Sequence, residues 1–180
     1  GLSVSTGVKN TLIGALAGDA LTTGSLSVAV GYHALGAEDT GGRNVAVGYE
    51  ALAAQNSDTT NYNTAVGYQA GLSVNTGPQN TIIGGLAADA MTTGQNNVFV
   101  GYAAAGAGVV TGSSNIGIGV AALGPLTSGA NNVAIGEDAA AGLTTGSNNL
   151  LLGHDAGRTG SPGGSFGTSS NGICLGDENI

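Results

Sequence analysis

Positive charge is scarce in this sequence, and so are aromatic side chains and cysteine. Lys9, Arg43 and Arg158 are the only basic residues beside eleven acidic ones, which gives a formal net charge of −8. Nucleic-acid binding needs clustered lysine and arginine side chains against the phosphates, so nucleic acid and anionic membrane surfaces are disfavoured as partners. A single cysteine, Cys174, leaves no intrachain disulfide to stabilise the fold.

Long apolar segments are missing as well. The longest run of apolar residues and glycine, 98–110, has 13 residues, and a bilayer-spanning helix needs about 20. We therefore predict no membrane insertion. The sequence starts inside a repeat and without methionine, so we expect it to be an excerpt of a longer chain.

Glycine is abundant, with 35 of 180 residues, and it recurs with a fixed period. One frame of about 17 residues repeats along the whole chain, and fixed-period repeats indicate a stacked architecture. Each frame is counted from a position zero that is usually asparagine. The frames start near residues 10, 27, 44, 63, 80, 97, 115, 132, 149 and 172.

Two small residues are the most regular members of the frame. Position +4 is always glycine: Gly14, Gly31, Gly48, Gly67, Gly84, Gly101, Gly119, Gly136, Gly153 and Gly176. Position +7 is alanine in nine frames: Ala17, Ala34, Ala51, Ala70, Ala87, Ala104, Ala122, Ala139 and Ala156. Most frames have a second glycine at −3, so we predict two glycine corners per repeat. The invariant alanine indicates a tight interior position.

Positions +1 to +3 are short runs of strand-forming residues between turn residues. Seventeen residues are too few for a helix pair but enough for one coil of a β-solenoid. We predict an all-β parallel β-solenoid of about ten coils, forming a single repeat domain over 1–180. At about 4.8 Å per coil it would be a rod roughly 48 Å long. Stacked threonines at position −4 could form a hydrogen-bonded ladder from coil to coil.

Position +2 carries no polar side chain: Leu12, Ala29, Ala46, Ala65, Ile82, Phe99, Gly117, Ala134, Leu151 and Cys174. Because +1 and +3 point to one face of a strand and +2 to the other, these strands are apolar on both faces. One face fills the coil, and the other needs a partner. We expect that partner to be the same chain in a homotrimer, with the +2 face in the seam.

No set of residues with nucleophile, base and orienting group is visible, so we predict a protein that is not an enzyme and has no cofactor or metal site. Four tyrosines share position +5: Tyr32, Tyr49, Tyr68 and Tyr102. They could pack at a corner or a seam, or they could form a stacking platform for sugar rings. His33 and His154 are read as surface histidines.

Three stretches break the period, and the smallest change is one extra residue within 103–110 in the frame from Asn97. The frame from Asn44 has two extra residues within 53–58, and its loop is expected to bulge from the rod. The frame from Asn149 is longer still, and residues 158–165 are expected to form a long corner that could also contact sugar.

The run Asn131-Asn132-Val133-Ala134-Ile135-Gly136, with Ala139 three residues on, resembles the head repeats of trimeric autotransporter adhesins. The run from Asn63 to Ala70 is similar to the N-T-A-V-G-Y-Q-A-L repeats of bacteriophage tail fibres. These resemblances imply a homotrimeric fibre, located on a virion or a cell surface, that binds a host glycan or protein. A phage tail fibre shaft is the first hypothesis. A bacterial surface adhesin, a self-assembling extracellular filament and a monomeric ligand- or ice-binding solenoid are the alternatives.

Overall fold

In a computed structural model, which describes residues 3–158 and 164–176, the chain is a parallel β-solenoid with one three-residue strand per coil. The strands are β1 (Thr11–Ile13), β2 (Val28–Val30), β3 (Val45–Val47), β4 (Thr64–Val66), β5 (Thr81–Ile83), β6 (Val98–Val100), β7 (Ile116–Ile118), β8 (Val133–Ile135), β9 (Leu150–Leu152) and β10 (Ile173–Leu175). The predicted fold class is confirmed. Within the described ranges there is no helix, and hence none able to cross a membrane.

All ten strands form one sheet in sequence order. Each residue pairs with the residue at the same frame position in the next coil, as Val98 pairs with Ile116. The extra residues between β3 and β4 leave this register unchanged, because Val45 still pairs with Thr64. Insertions are therefore absorbed in the corners, and the sheet remains continuous.

Both glycine corners are present, and each has a steric cause. At position +4 the backbone is left-handed, with φ of 135° at Gly136, and an added Cβ would lie 2.5 Å from the carbonyl oxygen of Gly153. At position −3 the coils approach as closely: a Cβ on Gly112 would lie 1.9 Å from the carbonyl oxygen of Gly129. A side chain at position +4, or at −3 where the backbones approach this closely, would separate neighbouring coils.

The assignment of position +2 to the seam is wrong, because these side chains fill the interior of their own coil. Ala29, Ile82, Phe99 and Leu151 are completely buried within the single chain. Positions +1 and +3 point away from the coil, and we call them the outward strand face. Its most exposed members are Ile13, Val66, Ile83, Ile118, Ile135, Ile173 and Leu175.

In most coils one of the positions +2 and +8 is large and the other small. Phe99 shares its coil with Ala105, and Leu151 shares its coil with Gly157. The order is reversed in the second, third and seventh coils; in the seventh, a Cβ on Gly117 would lie 3.2 Å from Leu123 Cδ1. The invariant alanines at +7 are buried beside them. In the fourth coil, where both positions are small, large side chains of the neighbouring coils fill the space.

A ladder of buried asparagines at position zero connects the coils. Each Oδ1 accepts the backbone N–H of the next position zero at 2.8–3.0 Å. Each Nδ2, except that of Asn44, donates to the carbonyl of the next −3 residue. The threonine ladder is not observed among the described residues, because the position −4 hydroxyls are exposed and Thr40, for example, donates to Asp58. The ladder runs through asparagine because its amide both accepts and donates in the core.

Candidate binding surface

Three of the four tyrosines at position +5 form a continuous stack on the outside of the rod. The ring centroids of Tyr32 and Tyr49 are 5.3 Å apart with planes inclined by 18°, and those of Tyr49 and Tyr68 are 5.4 Å apart at 13°. Stacked aromatic pairs prefer centroid separations of 4.5–7 Å. The parallel backbone places one ring per coil at this spacing, so the stack follows directly from the repeat.

The stack offers no open platform along its length, because its rings cover each other's faces. Only edges and hydroxyl groups of Tyr49 point to solvent, and its exposed fraction is 44%. Tyr68 ends the stack, because the next coil has Gly85 at position +5, and its exposed fraction rises to 54%. Tyr102 stands one coil further on and is 59% exposed. The predicted stripe is therefore a three-ring stack, a gap and a separate fourth ring.

A polar column at position +6 runs beside the stack. Gln69 Nε2 donates to Glu50 Oε2 at 2.8 Å, and the negative charge of Glu50 raises the pKa of the neighbouring Tyr49 hydroxyl. His33 lies next in the column, with its ring centroid 6.1 Å from that of Tyr32. Together with Leu72, His33 and Glu50 line a shallow groove of about 310 Å³. The surface therefore combines aromatic rings with hydrogen-bonding groups.

A buried polar cluster lies where the repeat is irregular. Glu38 occupies position −6, which is apolar and buried in regular coils such as that of Leu126. Its carboxylate accepts Gln55 Nε2 at 2.9 Å, Asn61 Nδ2 at 3.0 Å and the Gly41 N–H at 2.9 Å. Burial raises the pKa of this carboxyl group.

This cluster corrects the expectation for the two-residue insertion. The loop over 53–58 does not simply bulge, since Gln55 and Ser57 turn inward and are buried. The insertion supplies the donors that a carboxylate in the core requires. Glu38 and Ser57, the two polar residues at a position that is apolar in the other eight frames, were the sequence signal for it.

The remaining predicted positions are dispersed. Val109 stands six residues before Asn115, at the position that is apolar and buried in regular coils, but its side chain is exposed. Val110 is buried in its place, because the coil that starts at Asn97 has one extra residue. His154 lies 3.7 Å from the carboxylate of Asp155, far along the rod from His33. Among the described residues no group of three histidine, cysteine or acidic side chains could hold a metal ion. In the corner predicted over 158–165, residues 159–163 lie outside the described residues.

In the described part of the chain, the surface thus carries the tyrosine column, which is interrupted at Gly85, and the apolar outward strand face. Comparison with protein-family models, with curated proteins and with solved structures found no match to this chain.

Proposed function

We propose that this chain is a non-enzymatic shaft segment of a homotrimeric attachment fibre, with a phage tail fibre first and a bacterial surface adhesin second. The role is mechanical: a stiff rod, located on a virion or a cell surface, carries binding elements away from the particle. The observation that carries the proposal is the outward strand face. It is a straight strip of valine, isoleucine, leucine and threonine side chains with no charged residue.

Exposed apolar strips of this length need an explanation. Ten strands at about 4.8 Å, each three residues wide at about 3.3 Å, give a strip of roughly 480 Å². Scattered exposed apolar residues are ordinary on monomers, but contiguous patches of this size often mark interaction sites. The strip is continuous because every strand is in register with the next.

A second and a third copy of the same chain fit this strip. Parallel rods in register place identical residues opposite each other along the full length, so the contact closes with rotational symmetry. Three such strips bring roughly 1,400 Å² of mostly apolar surface together along the axis of the trimer. No charged residue lies on the outward strand face, and the net charge of −8 favours hydration of the rest of the surface.

The end-to-end filament and the monomeric ice or ligand binder predict other assemblies. A filament uses the edges of the first and last strands, so its mass grows without limit. A monomeric ice binder would leave the outward strand face in water and use the exposed threonines at position −4.

The test is a pair of lysine variants measured by sedimentation velocity. Ile118→Lys places a charge in the middle of the outward strand face, whereas Val120→Lys places the same charge on an exposed corner two residues away. We expect Ile118→Lys to shift the chain to a monomer and Val120→Lys to leave the three-chain species intact. If the two variants form the same species in sedimentation velocity, the outward strand face is not the contact between the chains.

A further inference from the structure

The gap in the tyrosine column has the position and width of one missing ring. Gly85 lies in register between its neighbours: the Leu86 N–H donates to the Tyr68 carbonyl, and the Ala103 N–H donates to the Gly85 carbonyl. A Cβ built on Gly85 would meet only Tyr102 Cδ2 at 3.7 Å and the Tyr68 carbonyl oxygen at 4.0 Å. The gap, which we call the Gly85 slot, is therefore open to solvent and walled by two tyrosines.

Each wall presents a ring face that the chain itself leaves uncovered. Tyr68 stacks on Tyr49 with one face, and its other face points along the rod towards the slot. Tyr102 closes the slot from the opposite side. Both rings are more exposed than Tyr32 and Tyr49, the other two tyrosines of the column. Two aromatic faces at a fixed separation are a preformed clamp, since the backbone that holds them is paired on both sides.

The width of the slot sets the size of the ligand. Two coil steps separate its walls by about 9.6 Å along the rod, and Tyr49 fills the same span between Tyr32 and Tyr68 with a single ring. The slot therefore admits one ring that contacts both walls. A pyranose has this size and can place C–H groups against the tyrosine rings while its hydroxyl groups reach the polar groups at the rim.

Charge narrows the class of sugar further. The nearest ionisable group in the neighbouring column is the Glu50 carboxylate, which is joined to Gln69, and the basic residues Lys9, Arg43 and Arg158 lie in other coils. An anionic sugar would be repelled by this surface. The amide of Gln69, adjacent to Tyr68 in sequence, offers the hydrogen-bonding groups that neutral hydroxyls use.

We propose that the Gly85 slot binds one neutral pyranose ring of a glycan, sandwiched between Tyr68 and Tyr102. This inference deepens the attachment function proposed above and rests on it for the biological source of the sugar. The slot lies on the side of the rod, so binding at it does not require a separate tip.

The experiment titrates the chain with methyl glycosides of glucose, galactose, mannose and N-acetylglucosamine, with glucuronic acid and with p-cresol, while the NMR signals of the tyrosine rings are followed. Concentrations extend to about 100 mM, which saturates a site of millimolar affinity. Gly85→Tyr fills the slot with a fifth ring, at a position without a left-handed backbone. Ala15→Tyr is the matched control, because it adds a ring beside Tyr32 at the far end of the stack.

We expect at least one neutral glycoside to shift the Tyr68 and Tyr102 signals, with at least tenfold weaker binding by Gly85→Tyr and unchanged binding by Ala15→Tyr. Thermal melting of both variants establishes that they fold. The proposal is overturned if no neutral glycoside shifts these signals, if Gly85→Tyr binds as the unmodified chain does, or if p-cresol or the uronic acid binds in preference. Sedimentation of the same samples separates the two proposals: a monomer that binds sugar contradicts only the fibre, and a trimer that binds none contradicts only the slot.

Discussion

Replacing Asn115 with alanine removes one rung of the asparagine ladder, and the structure sets the size of the loss. Asn115 Oδ1 accepts the backbone N–H of Asn132 at 3.0 Å, and Asn115 Nδ2 donates to the Gly129 carbonyl at 2.9 Å. The alanine variant leaves both groups buried without these partners, and each orphaned group costs about 1–3 kcal/mol. We therefore expect a loss of about 4 kcal/mol in unfolding free energy. At about 2–4 °C per kcal/mol, the melting temperature should fall by roughly 8–16 °C.

The assay is urea unfolding followed by circular dichroism, with two companion variants. Asn115→Ser should cost about half as much, because a serine oxygen keeps the acceptor, as Ser27 does for the Asn44 N–H at 3.2 Å. Ser128→Ala, on the exposed position −4 column, should change stability by less than about 0.5 kcal/mol. An alanine variant as stable as the Ser128 control would refute the reasoning that the ladder stabilises the stack.

Three further predictions follow from the corners, the core and the buried carboxyl group. Gly136→Ala should destabilise the fold by about 2 kcal/mol or more in thermal melts, because its Cβ has no space and its φ is 135°, whereas Gly85→Ala should be nearly neutral. Gly117→Leu should be strongly destabilising, and adding Leu123→Gly should recover most of the loss in a double-mutant cycle; simple additivity would contradict the size matching. Burial raises the pKa of Glu38 above its ordinary 4.5, so the native state holds this proton more tightly than the unfolded state. The stability that the protonated carboxyl group contributes is therefore lost as pH rises from 4.5 through the raised native pKa of Glu38. In urea unfolding at a series of pH values, the unfolding free energy should fall less over this range for Glu38→Gln than for the unmodified chain. The same pH dependence in both proteins would contradict this assignment.

The repeat frame could be predicted from sequence because each of its residues answers a local requirement. Glycine at +4, as in Gly136, meets a left-handed corner, and alanine at +7, as in Ala139, meets a narrow interior. Every coil repeats these requirements, so ten weak signals add up to one fold. Because one repeat makes one coil, equivalent strands of successive coils run in the same direction, so the repeat length also predicts their parallel pairing.

Which face of each strand points into the coil was predicted wrongly, because both faces are largely apolar. Ala134 and Ile135 are equally compatible with either side, and only Thr11, Thr64 and Thr81 at position +1 mark the outward face. The deciding information lies in the pairing of +2 with +8, as between Gly117 and Leu123, which correlates residues across a coil and not along a strand. The glycan hypothesis was imprecise for a related reason: a shared column places Tyr49 beside Tyr68, but only the stacking geometry reveals that their faces are already covered.

Sedimentation equilibrium of the unmodified chain across a concentration series tests the central claim most directly. One chain has a mass of 17.1 kDa. The account predicts a mass of three chains that persists on dilution, because the proposed trimer covers the outward strand face with copies of itself. A constant mass of 17.1 kDa would contradict the fibre, and a mass that climbs with concentration without limit would indicate the filament instead.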